Sequence, residues 1–198
     1  MKQKIMFIYT FKHWENECKD NLLTMINNLI YFDNNATTKV DKEVIETILP
    51  FFDQNYGNAA SKLHALGWTA QAAVEKATEQ VANLINCEPA EIIFTSGATE
   101  SVNLALKGIY EAYATKGNHI ITCKTEHKAV LDTCSYLENK GAKITYLDVD
   151  KEGLIDLDEL KANIEPATIL VCIMAANNET GVIQPLEKIS EIFNEKNV

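Results

Sequence analysis

From Ile30 onward the apolar positions along the chain follow two rhythms in turn. Short runs rich in β-branched residues, at 92–95, 119–123, 143–147 and 168–174, have the length and composition of strands. Between them apolar residues recur every three or four positions. Val74, Ala77, Val81 and Leu84 mark a long helix ending near Ile85. The same spacing predicts helices over 40–52, 102–114, 128–139, 157–164 and 185–193. Asp41 is the candidate N-cap of the first, which carries Val44, Ile45, Ile48 and Leu49 on one face. Gly141 stands where a helix end needs a left-handed residue. Strands alternating with helices in this way predict an α/β architecture with a mostly parallel sheet and flanking helices. In such sheets ligands collect beyond the carboxyl ends of the strands.

Composition narrows the function classes. The chain has 198 residues, room for one domain with a real core or for part of a larger one. Its formal net charge is -10, and all 18 basic residues are lysines. Such a surface argues against nucleic acid as a partner, because phosphate backbones need clustered positive charge. Without arginine there is no bidentate guanidinium to hold a substrate carboxylate. The five cysteines, Cys18, Cys87, Cys123, Cys134 and Cys172, form no CxxC pair, so neither a metal site nor a redox dithiol is expected. Cys123 and Cys172 fall in apolar runs and read as core residues. Unpaired, unpatterned cysteines suit a reducing cytoplasm. No apolar run reaches membrane-spanning length, so no membrane partner is expected.

The first 29 residues read as an extension outside the core. Lys2 and Lys4 precede an apolar run, Ile5 to Tyr9, as in a signal peptide. However, Lys12, His13 and Glu15 interrupt it, and no small-residue cleavage site follows. Translation starting at Met25 is an equal reading.

Three polar clusters fall at the carboxyl ends of the predicted strands. The first, Ser96-Gly97-Ala98-Thr99, joins a strand to a helix. Helix-start amides lack intrahelical partners and favour an anion such as phosphate, although the same pattern also serves as a plain connection. The second is Thr125-Glu126-His127; a lone histidine here is commonly a surface or capping residue. The third is Asn177-Asn178-Glu179, ordinary turn chemistry before Thr180-Gly181. Their coincidence at one sheet edge describes a pocket for a phosphorylated aromatic cofactor.

YFDNNATT (31–38), YGNAAS (56–61), FTSGATES (94–101), HIITCKTEHKAVLDTC (119–134), GLIDLDEL (153–160) and NNETGV (177–182) together resemble the amino-terminal half of cysteine desulfurases. These are class V aminotransferase-like enzymes that use pyridoxal 5'-phosphate (PLP), and TSGATES with KTEHKAVLDTC is more similar to their IscS/NifS branch than to the SufS branch. The resemblance runs unbroken over residues 30–198. It implies the large domain of the aspartate-aminotransferase-like fold (fold type I), incomplete and ending before the Schiff-base lysine. It implies conversion of L-cysteine to L-alanine, with sulfur passed as a persulfide to acceptor or scaffold proteins, by a full-length homodimer.

The resemblance also implies roles for single residues. Ala98 and Thr99 match the PLP-phosphate binders, His127 the histidine that stacks on the pyridine ring and moves protons, and Asn178 the asparagine bonded to the phenolic oxygen. Asn34 to Thr37 match a segment lining the entrance. The Schiff-base lysine, the aspartate at the pyridinium nitrogen, the nucleophilic cysteine and the substrate-binding arginine lie, in the family, beyond Val198. Lys128 mimics the Schiff-base lysine by following a histidine, but it opens a helix and reads as a solvated helix lysine. Other class V PLP enzymes, such as selenocysteine lyase, and a non-catalytic remnant or binding module are the alternatives. In that fold, residues 92–95 are expected to be detached from a three-stranded sheet, leaving a chain that is aggregation-prone or molten unless the other half of the fold or self-association rescues it.

Overall fold

The computed structural model describes residues 30–196; the extension read over residues 1–29 lies outside the described residues. Contacts divide the chain into two units, Met1–Ile45 and Glu46–Val198. In the first, the Ala36 N–H donates to Asp33 O in a turn (3.2 Å). The Asp41 carboxylate then accepts the Glu43 N–H at 2.8 Å, capping the start of α1 (Lys42–Ile48) as its sequence position predicts.

The helix expected over 40–52 is broken. Pro50 has no N–H to give the preceding turn, so α1 stops and Pro50 opens the one-turn α2 (Pro50–Asp53). The long helix α3 (Ala65–Ile85) forms where the spacing places it. The His64 side chain caps it by accepting the Gly67 N–H, and Asn86 ends it at φ 57°. Its expected apolar face stays largely open: Val74 and Leu84 are exposed, and only Gly67, Ala70 and Ala82 are buried.

Residues 92–95 are a correction to the strand reading. A 3₁₀ turn (Pro89–Glu91) runs into extended backbone at Ile92, yet this segment joins no ladder among the described residues. β-propensity makes the backbone extended, but a strand also needs a neighbour with free N–H and C=O groups. The sheet has three strands, β1 (His119–Cys123), β2 (Lys143–Leu147) and β3 (Thr168–Cys172), in the order β2-β1-β3 and all parallel. That is the three-stranded sheet with a detached 92–95 segment expected from the resemblance. β3 ends two residues earlier than predicted, at Cys172.

β1 is buried along its whole length, because helices cover both faces of the sheet. Ile120 packs with Leu106 of α4 (Ala98–Ala112) and with Val130, Cys134 and Leu137 of α5 (Lys128–Glu138). Ile121 and Cys123 point the other way, toward Leu160 of α6 (Leu157–Asn163) and Ile189 and Ile192 of α7 (Leu186–Lys196). Ile120 and Ile121 are fully buried, and each contributes about 1.5–3 kcal/mol. Gly141, at φ 99°, closes α5 in the left-handed conformation anticipated for it.

α4 and α5 run side by side in the same direction. Tyr110, near the end of α4, donates its hydroxyl to Lys140 O just past the end of α5 (3.2 Å). Ala98 stands twelve positions before Tyr110, and Lys128 twelve before Lys140, about 18 Å of helix in each case. Both helices therefore begin at the same end of the layer, the end where β1 delivers its carboxyl terminus to α5.

Candidate active site

α4 begins at Ala98, four residues earlier than the apolar spacing predicts. Ala98, Thr99 and Glu100 are thus its first three residues, and the Ser101 N–H, bonded to Gly97 O at 3.1 Å, is the first to close a helical turn. The amides ahead of it are those a helix cannot pair internally. Glu100 caps this start from inside: its carboxylate accepts both the N–H and the hydroxyl of Ser96, at 2.6 and 2.7 Å. Those bonds hold the Glu100 carboxyl below its ordinary pKa. Glu100 thereby occupies the donors of Ser96 and not those of Ala98 and Thr99.

His127 is the N-cap of α5. Its Nδ1 accepts the Ala129 N–H at 3.0 Å, so the proton of the neutral ring sits on Nε2, and the ring is exposed. Lys128 follows it on the helix with its ammonium 2.7 Å from both oxygens of Asp132, four residues on, in an exposed pair. It is a solvated helix lysine, as its place in the sequence suggests.

Asn177 organises the third cluster. Its side-chain oxygen accepts the N–H groups of Glu179 and Thr180 (2.9 and 3.0 Å), while its Nδ2 donates to Thr125 O at 3.1 Å. Asn178 is exposed beside it. One cavity of about 360 Å³ is lined by Thr125, Glu126, His127, Asn177, Asn178 and their neighbours. The structure therefore brings His127 and Asn178 together. It does not put Ala98 and Thr99 on that wall; they stand at the same end of the layer, at the start of the parallel helix.

Sequence reasoning missed the part Glu126 plays. It is only 8% exposed, and its Oε1 accepts the Met174 N–H. Burial pushes its carboxyl above the ordinary range, opposed by the Met174 N–H and by His127. A charged residue between a strand and a helix cap gives no sign in the sequence that it will be buried. The thiols tell a second story. Burial raises Cys134 to about 12 and Cys172 to about 11, and Cys87 is raised as well, by desolvation and by Glu91 and Glu88. None of these three is a thiolate at neutral pH.

A helix-covered parallel sheet with a polar cavity beyond the carboxyl ends of its strands is the layout of an α/β domain that carries its site at that edge. The chain belongs to the aminotransferase class V family, whose signature matches residues 30–198. It is 54% identical over 173 residues to a cysteine desulfurase IscS of Ehrlichia chaffeensis, covering 87% of this chain and 42% of that protein. It is 56% identical over 169 residues to the IscS of Neisseria gonorrhoeae, covering 85% and 42%. A mitosomal cysteine desulfurase of Trachipleistophora hominis is 54% identical over 171 residues, covering 85% and 39%. Among solved structures, a NifS-like protein superposes with a TM-score of 0.82 at 48% identity, covering 85% of this chain and 46% of that one. SspA in complex with cysteine gives 0.81 at 38%, covering 86% and 49%. The chain spans less than half the length of each of these relatives.

Proposed function

We propose that this chain supplies the PLP-binding part of a cysteine desulfurase, an enzyme that converts L-cysteine to L-alanine and passes the sulfur on as a persulfide. In this reading residues 30–198 form the amino-terminal part of the PLP domain and residues 1–29 stand outside its core. The whole enzyme works as a cytoplasmic homodimer and hands sulfur to acceptor or scaffold proteins for iron–sulfur clusters and thio-cofactors. The observation that carries the reading is the shared cavity of His127 and Asn178 at the carboxyl ends of β1 and β3, in a chain 54% identical to proteins bearing that name.

The donor set fits the cofactor. The N–H groups of Ala98 and Thr99, with the Thr99 hydroxyl, sit at the positive end of a fifteen-residue helix, the chemistry a phosphate dianion needs. Those residues would hold the phosphate, His127 the flat ring, and the Asn178 amide the phenolic oxygen. When bound, PLP supplies an electron sink for bonds at the substrate α-carbon. His127 offers its Nε2 as the ring atom at which a proton is held or moved, since Nδ1 is committed to Ala129.

Parallel titrations of the chain with PLP and with pyridoxal, which lacks the phosphate, test this. Binding of PLP alone, weakened about tenfold by Thr99→Ala, supports the reading. Equal affinity for the two, or no response to either, overturns it.

A further inference from the structure

β1 and β3 are neighbours, and their ladder ends in register at Thr122 opposite Cys172. Beyond that point the chain parts into two exits, one leading to His127 and the other to Asn178. Two side-chain bonds continue the pairing after the backbone ladder has stopped. Glu126 Oε1 accepts the N–H of Met174, and Asn177 Nδ2 donates to the carbonyl of Thr125. The Asn177 amide has no freedom to turn over, because its oxygen already takes the Glu179 and Thr180 N–H groups. Glu126 is adjacent in sequence to His127, and Asn177 to Asn178, so each tether residue sits one position from a proposed cofactor contact.

We propose that Glu126 and Asn177 are positioning residues, a two-point tether that locks the exit of β1 to the exit of β3 and so holds His127 and Asn178 in one arrangement. The inference rests on the PLP reading above for its purpose, but on the two bonds alone for its existence. The carboxylate acts here as an acceptor for one backbone N–H. An amide oxygen serves equally well, so Glu126→Gln preserves the tether and Glu126→Ala removes it. Asn177→Asp keeps the oxygen that caps Glu179 and Thr180 and replaces the donor to Thr125 O by a second acceptor oxygen, which repels that carbonyl.

The test combines hydrogen–deuterium exchange with PLP titration on the whole chain and these three variants. Glu126→Ala should speed exchange in 173–181, and Asn177→Asp in 124–128, each by about tenfold, with Glu126→Gln staying within about twofold of wild type. PLP affinity should fall about tenfold in Glu126→Ala and Asn177→Asp and be rescued in Glu126→Gln. Loosened exits with unchanged PLP affinity would reduce the pair to a structural role and overturn the proposal. So would a Glu126→Gln variant as impaired as Glu126→Ala. If Glu126→Ala does not fold, Asn177→Asp, which keeps its turn, decides. If the wild-type chain takes up no PLP, the functional reading falls, and the exchange data alone decide whether the tether exists.

Discussion

His119 Nδ1 lies 2.8 Å from Thr168 Oγ1, a bond from the first residue of β1 to the first residue of β3. The other ring nitrogen lies 2.8 Å from Thr145 Oγ1 on β2, so one buried imidazole joins all three strands. Burial lowers the His119 pKa, and Lys143 adds to this while Glu165 opposes it. Above the ordinary imidazole value the ring is neutral in both the folded and unfolded states, and its contribution is complete. As pH falls below about 6.5 the unfolded chain takes up the proton first, and stability declines until the folded ring titrates too. Urea unfolding from pH 7.5 to 5 should show this loss in the wild type and a flatter profile in His119→Gln. Parallel profiles would contradict the assignment. His119→Ala should cost about 1–3 kcal/mol at pH 7.5, from the two lost hydrogen bonds to Thr168 and Thr145 and the space left by a buried ring.

Glu126 predicts the opposite slope. Its folded pKa is raised, so the folded state holds its proton to higher pH than the unfolded chain does, and stability falls as pH rises between the two values. Glu126→Gln keeps the acceptor for Met174 and removes the buried charge. It should match or exceed the wild type in urea midpoint at pH 7.5. A clearly lower midpoint would show that the charge itself stabilises the fold.

The thiols predict chemical inertness. With Cys134 raised to about 12 and Cys172 to about 11, the native chain should alkylate slowly at these two positions at pH 7.5, and rapidly in urea. The chain alone, given L-cysteine, PLP and a reductant, should release no sulfide beyond that produced by free PLP. Fast native labelling of Cys134 or Cys172, or robust sulfide release, would contradict this.

Much of this architecture was legible because it rests on periodicity. The runs 119–123 and 143–147 alternate with helices at parallel-sheet spacing, and both strands form with those bounds. The break at Pro50 was readable from a residue that cannot donate, yet the apolar face running through it masked the signal. The early start of α4 was hidden because residues 98–101 are small or polar; the cap that Glu100 forms on Ser96 extends the helix beyond its apolar stripe. Site chemistry followed the same division. The clusters that hold His127 and Asn178 stood out by type and place, and the two residues line one cavity, but the bonds from Glu126 to Met174 and from Asn177 to Thr125 span 48 and 52 residues and leave no local pattern.

Open apolar surface predicts association. A groove of about 790 Å³ along α3 is walled by Ile48, Phe51, Tyr56, Val74 and Phe94. A second, of about 420 Å³, lies between α4 and β3 and includes Val102, Leu106, Leu170 and Ile173. A domain's net stability is only about 5–15 kcal/mol, and uncovered faces of this kind are interaction or aggregation sites. Light scattering should show mass rising with concentration, and urea unfolding should be broad. A monomer with one sharp transition would refute this.

In the proposed function this chain is the cofactor-binding half of a cysteine desulfurase. Sulfide release from L-cysteine tests it most directly, measured on the chain co-purified with a polypeptide carrying the rest of an IscS relative. Sulfide should appear from the pair and from neither part alone, and should fall by about a hundredfold or more in His127→Ala. A co-purified pair that releases no more sulfide than free PLP, or one indifferent to His127→Ala, would contradict the claim.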